Sequence, residues 1–75
     1  MDELNEKDRA FVEKTFVYHA PKNNQPERYV ALREMAKKFA EEVCKYCPES
    51  REKSVALTNI QQAVMWANAA IAINE

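Results

Sequence analysis

Ala63-Val64-Met65-Trp66-Ala67-Asn68-Ala69-Ala70-Ile71-Ala72-Ile73 is the stretch on which the fold turns, and Asn68 is its only polar residue. Leu57, Ile60, Val64, Ala67 and Ile71 recur at alternating steps of three and four, a heptad-like helical seam. Wound at about 100° per residue, residues 63–73 are apolar almost all the way round, and such a helix must be covered on several sides. A membrane-surface helix would carry Lys and Arg on its polar face, and no basic residue follows Lys53. Two short partner helices in the same chain cannot enclose this surface. The missing cover is expected from other copies of the protein, with the alanines allowing close approach and Met65 and Trp66 filling gaps.

Working back toward the N-terminus, Ser50 suits an N-cap and Glu52 the positive end of the helix dipole, so this helix is expected over residues 50–74. Cys47-Pro48 breaks the chain before it, because the residue preceding a proline disfavours the helical region. Upstream, Leu32, Met35, Ala36, Phe39, Val43 and Tyr46 form one apolar stripe of a helix over residues 26–46, with Pro26 near its start. Residues 18–26 hold two prolines and two asparagines, which is turn chemistry. A first helix is expected over residues 3–17, with Leu4, Phe11, Val12 and Phe16 near one face and charges elsewhere. The expected fold is therefore all-α: a short N-terminal helix plus a two-helix antiparallel hairpin, assembled as a compact homo-oligomer. The whole chain, 1–75, is one helical-hairpin domain, with residues 1–10 a charged lead-in.

Composition supports this. The 75 residues contain no glycine, which removes the usual residue of tight hairpins, phosphate loops and Schellman caps. Chains this short seldom stand on one hydrophobic core and normally need a staple or a partner subunit. The acidic opening lacks the apolar core of a signal peptide, and no apolar run approaches the roughly 20 residues that span a bilayer. A soluble, intracellular protein is expected, without membrane attachment.

The net charge of −1 conceals three blocks: −3 over residues 1–13, +4 over residues 14–38 and −2 over residues 39–75. So near-neutral a chain is poorly suited to polymeric nucleic acid, whose binding rests on many phosphate contacts. The basic block still suits a small anion, although a solvated helix face is the simpler account of such a run.

The chemical motifs are few. Cys44-Lys45-Tyr46-Cys47 has C-x-x-C spacing, but a structural zinc wants four ligands and only His19 could add to it. Two reduced cysteines near a helix end explain the pair better, so no metal or other cofactor is expected. One histidine, and no nucleophile-elbow, zinc-protease or phosphate-loop motif, leave no catalytic set. Phe16-Val17-Tyr18-His19-Ala20-Pro21, followed by Arg28, Tyr29 and Arg33, is more suggestive. Aromatic faces stack on bases and guanidinium forks match phosphate oxygens. On the residues alone, however, the better reading takes Tyr18 and Tyr29 as amphipathic residues at the edge of a core.

The wording of these runs adds information. Phe16-Val17-Tyr18-His19-Ala20-Pro21, Gln25-Pro26-Glu27-Arg28-Tyr29, Leu32-Arg33 and Ala36-Lys37, then Cys47 to Ser54 and Ala63 to Ala72, stand in an order that resembles a bacteriophage family. That family is the anti-CBASS cyclic-nucleotide sponges, small helical-hairpin proteins, and the likeness covers residues 11–75. It implies a non-enzymatic inhibitor of bacterial CBASS immunity, acting in the cytoplasm of the infected host. Such proteins form homo-oligomers, commonly hexamers, that bind cyclic dinucleotides between protomers without degrading them. Some also hold cyclic trinucleotides at separate sites nearer the symmetry axis. Carried over by position, Tyr18 would stack a base, Arg33 would pair with phosphate and His19 would hydrogen-bond the ligand. Arg51 and Thr58 would serve a trinucleotide site. A helical oligomer acting as a protein-interaction adaptor, with no nucleotide ligand, is the alternative, and a metal or redox protein built on Cys44 and Cys47 a distant third.

Overall fold

The computed structural model describes residues 3–75, which form three helices: α1 (Glu6–Thr15), α2 (Gln25–Tyr46) and α3 (Arg51–Asn74). No strand occurs among the described residues. The all-helical reading holds, with adjustments at helix ends that local hydrogen bonding explains. The side chain of Asn5 accepts from the Asp8 amide at 2.8 Å, so α1 starts at Glu6 instead of residue 3. It ends at Thr15, where the Phe16 amide makes the last helical bond to the Val12 carbonyl. The charged lead-in expected over residues 1–10 falls partly on residues 1 and 2, outside the described residues, and partly within α1.

The turn before α2 uses Asn23 at φ 53°, a left-handed conformation that asparagine tolerates better than most residues. Pro26 sits in the first turn of α2, where its missing N–H leaves no bond unmade. Ser50 caps α3 as expected, its Oγ accepting from the Lys53 amide at 3.1 Å and donating to the Pro48 carbonyl at 3.1 Å. Lys53 also pairs with Glu49, which raises the lysine pKa and lowers that of the carboxylate.

The antiparallel α2–α3 hairpin is the only extensive helix–helix contact among the described residues. Its seam is the one the heptad spacing marks: Leu57, Ile60, Val64, Ala67 and Ile71 of α3 are all half-buried, as are Leu32, Ala36 and Val43 of α2. Met35, Phe39 and Tyr46, from the same α2 stripe, remain 60–73% exposed. The stripe is wider than a single partner helix can cover.

The hairpin is a slab, with the described chain measuring 51 × 35 × 13 Å, and among the described residues no apolar side chain is fully buried. Trp66 and Met65, central to the stretch that fixes the fold, are 75% and 62% exposed. A compact monomer of this mass would expose about 4,700 Å²; this chain exposes 6393 Å². The excess is about 1,700 Å², roughly twice what one partner contributes to a standard protein interface. Among the described residues no helix is long and apolar enough to cross a membrane.

Candidate functional site

The two faces of the slab differ in chemistry. One is an open apolar groove of about 570 Å³, lined by Met35 and Phe39 of α2 and by Ala56, Asn59, Ala63 and Ala67 of α3, among others. The other is a groove of about 350 Å³, lined by Arg33, Lys37 and Ala40 of α2 and by Leu57, Gln61 and Met65 of α3. The two share Ala36, Ile60 and Val64, the seam itself, and therefore lie back to back.

Arg33 and Lys37 stand one helical turn apart on this second face. Like charges at that spacing repel, and a helix under no other demand gains from an acidic neighbour. Neither side chain is in an ion pair, because the two ion pairs among the described residues are Arg28–Glu75 and Lys53–Glu49. Lys37 also has Glu34 and Glu41 within a turn, lining the adjoining groove, whereas Arg33 has no acid at three or four residues' distance. The two cations can receive phosphate oxygens, with a ring on the apolar floor. Lys37 belongs to this arrangement, and its i, i+4 spacing from Arg33 was the signal available in the sequence.

Tyr18 and His19 lie in the loop between α1 and α2. Tyr18 is 85% exposed, so its ring contributes no packing to its own chain. The Nε2–H of His19 donates to the Lys14 carbonyl at 2.7 Å, tying the loop to the end of α1 and leaving Nδ1 as the remaining hydrogen-bonding atom of the ring. No hydrogen bond links Tyr18 or His19 to Arg33 within the chain, and the groove that Arg33 lines includes neither of them. Arg51 opens α3, and Thr58 follows two turns later on the same face, with both side chains exposed.

Arg28, read from sequence as one of the guanidinium groups of the basic run, has a different role. Its Nη1 donates to Glu75 Oε2 at 2.9 Å and its Nη2 to Glu75 Oε1, a fork-to-fork pair across 47 residues of sequence. Gln25 Nε2 approaches the same carboxylate at 3.5 Å, and Lys22 Nζ donates to the Glu75 carbonyl at 2.7 Å. Sequence reasoning missed this cluster, because no local spacing announces it. The Arg28 hydrogen bonds, with help from Gln25 and the Lys22 charge, lower the Glu75 pKa from its usual 4.5 to about 2.

The sign of the resulting pH dependence follows. The carboxylate pKa is depressed in the folded chain, so the stabilisation is complete above pH 4.5 and disappears as pH falls through about 2. Thermal unfolding of wild type and Glu75→Gln should differ at pH 7 and converge as pH approaches 2. A constant gap across that range would show that the ionised carboxylate is not responsible.

Cys44 and Cys47 are free, exposed thiols, and no group of three or more His, Cys, Asp or Glu side chains that could hold a metal is assembled among the described residues.

No curated protein and no solved structure matches the chain. A protein-family model does: that of the Acb2/Tad1 hairpin domain, over residues 8–72. The match takes in the Tyr18–His19 loop, both grooves and nearly all of α3. With a match over most of its length, the chain belongs to the Acb2/Tad1 hairpin family, the anti-CBASS sponge group that its Tyr-His and Met-Trp-Ala-Asn runs resemble.

Proposed function

We propose that this protein is a phage inhibitor of bacterial CBASS immunity that binds and sequesters cyclic dinucleotide messengers in the host cytoplasm without degrading them. The observation that carries the reading is the conjunction of family membership over residues 8–72 with an unpaired Arg33–Lys37 face. Tyr18 stacks a base, Arg33 pairs with phosphate, and His19 offers its free ring nitrogen to the ligand. Arg51 and Thr58 serve cyclic trinucleotides.

The working form is a homo-oligomer, a hexamer in keeping with the family. Its support is the surface inventory: about 1,700 Å² of excess exposure, with no apolar residue buried among those described. The groove lined by Arg33 does not include Tyr18, which supports a pocket that takes Tyr18 from one protomer and Arg33 from another. Capture works by mass action, one messenger per site. Nanomolar affinity corresponds to about −12 kcal/mol, within reach of stacked rings and charge-assisted hydrogen bonds on a preassembled scaffold.

Thermal shift against a panel of cyclic di- and trinucleotides tests the reading. A ligand at 100 times its Kd that binds only the folded form stabilises by about 2.7 kcal/mol. Recovery of the nucleotide unchanged after prolonged incubation should accompany the shift. No shift with any member of the panel would leave the adaptor reading in its place.

A further inference from the structure

The loop that carries Tyr18 is long and has little to rest on, because α1 makes no extensive contact with the hairpin. Its entrance is tied by His19 to the end of α1. Its exit is tied more elaborately. The Gln25 amide donates to the Lys22 carbonyl at 2.9 Å, and the Lys22 amide donates back to Gln25 Oε1 at 3.1 Å, closing a reciprocal turn. Gln25, at 3% exposure, is the one buried residue among those described. The other end of its side chain approaches Glu75, which also receives Lys22 and the Arg28 fork. One residue at the end of α3 thus gathers the loop exit, the buried glutamine and the first turn of α2.

The placement of these three contacts matters. Lys22 lies four residues after Tyr18, with Pro21 stiffening the link. Arg28 lies five residues before Arg33 on a continuous helix, which transmits its position rigidly. Glu75 is therefore a common anchor for the arm that ends in Tyr18 and the arm that ends in Arg33. In a closed oligomer every protomer repeats both arms, so setting one against the other within a chain also sets them across the interface.

We propose that Glu75 is a positioning residue of the cyclic-dinucleotide site, clasping the Tyr18 loop to the hairpin so that the aromatic and guanidinium arms are held in register. The proposal rests on the sponge reading above and assigns a role to a residue that touches no ligand. The Glu75 side-chain carboxylate is gripped by the Arg28 fork and approached by the Gln25 amide, while Lys22 holds the main-chain oxygen of the same residue. A neutral isostere would keep its size and the Lys22 bond but lose the charge-assisted fork and the attraction to the Lys22 charge.

The test uses the assembled full-length protein with cyclic di-AMP and cyclic GMP–AMP as probes. In Glu75→Gln, amide exchange at residues 17–24 without ligand should accelerate, and affinity for whichever probe the wild type binds should fall about fivefold. Sedimentation and circular dichroism should be unchanged. Arg28→Lys should behave similarly, because a point charge cannot reproduce the fork. Unchanged loop exchange, faster exchange with unchanged affinity, or an affinity loss explained by dissociation of the oligomer would each overturn the positioning role while leaving the Tyr18 and Arg33 assignments standing. Wild-type protein that binds neither probe nor any other member of the cyclic di- and trinucleotide panel overturns the sponge reading and the positioning role together.

Discussion

Tyr18→Ala and Arg33→Ala are each expected to weaken cyclic-dinucleotide binding about 10- to 100-fold while leaving the fold and assembly intact. Loss of one base–aromatic stack costs about 1–3 kcal/mol, and loss of a charge-assisted hydrogen bond about 1.5–3 kcal/mol. Neither substitution should harm the chain, because Tyr18 is 85% exposed and Arg33 forms no ion pair. Surface changes of this kind stay within about 0.5 kcal/mol of wild-type stability. Arg33→Lys should fall between wild type and alanine, retaining charge without the planar fork. Titration calorimetry measures the effect, with light scattering to hold the oligomer constant. If both alanine variants keep wild-type affinity, the site lies elsewhere on the slab.

The second large effect is expected at Phe39. In the isolated chain its side chain is 60% exposed, and truncating such a residue would cost less than about 0.5 kcal/mol. If the apolar groove is an interface between copies, Phe39 is buried in the working protein, and Phe39→Ala should cost about 3–5 kcal/mol per chain. The two cases differ severalfold, so chemical denaturation at fixed protein concentration separates them. Wild-type stability should also rise with protein concentration, as it does whenever folding and association are linked. A small loss at Phe39 together with a concentration-independent midpoint would mean that this face stays open to solvent. The adjacent seam sets the scale, because Ile60 and Val64 are already half-buried within one chain.

Much of this architecture was legible in the residues, and the reasons differ by element. The α3 seam follows directly from a heptad spacing that places Leu57, Ile60, Val64, Ala67 and Ile71 on one line, and Ser50 caps that helix because its hydroxyl can reach the Lys53 amide. Met35 and Phe39 share the α2 stripe with Leu32 and Ala36, yet they face the open groove. Periodicity identifies an apolar face but not which part of it meets the neighbouring helix. The Asn5 cap was obscured by the charged residues around it. The Glu75 cluster was invisible for a deeper reason: its partners are 47 to 53 residues away, and only the closed hairpin brings them together. Tyr18, His19 and Arg33 are legible in motif wording, whereas Lys37 needs the helix, which sets it on the Arg33 face with neither cation in an ion pair.

The thinness of the slab has a consequence for timing. If the proposed oligomer is the working form, a chain 13 Å through, with no buried apolar side chain among its described residues, is finished only in company. Its capacity to soak up a signal would then rise more steeply than its copy number, since each new copy both adds a cleft and helps to complete those of its neighbours. Early in expression such a protein would be nearly inert; past a threshold dose it would become a sink.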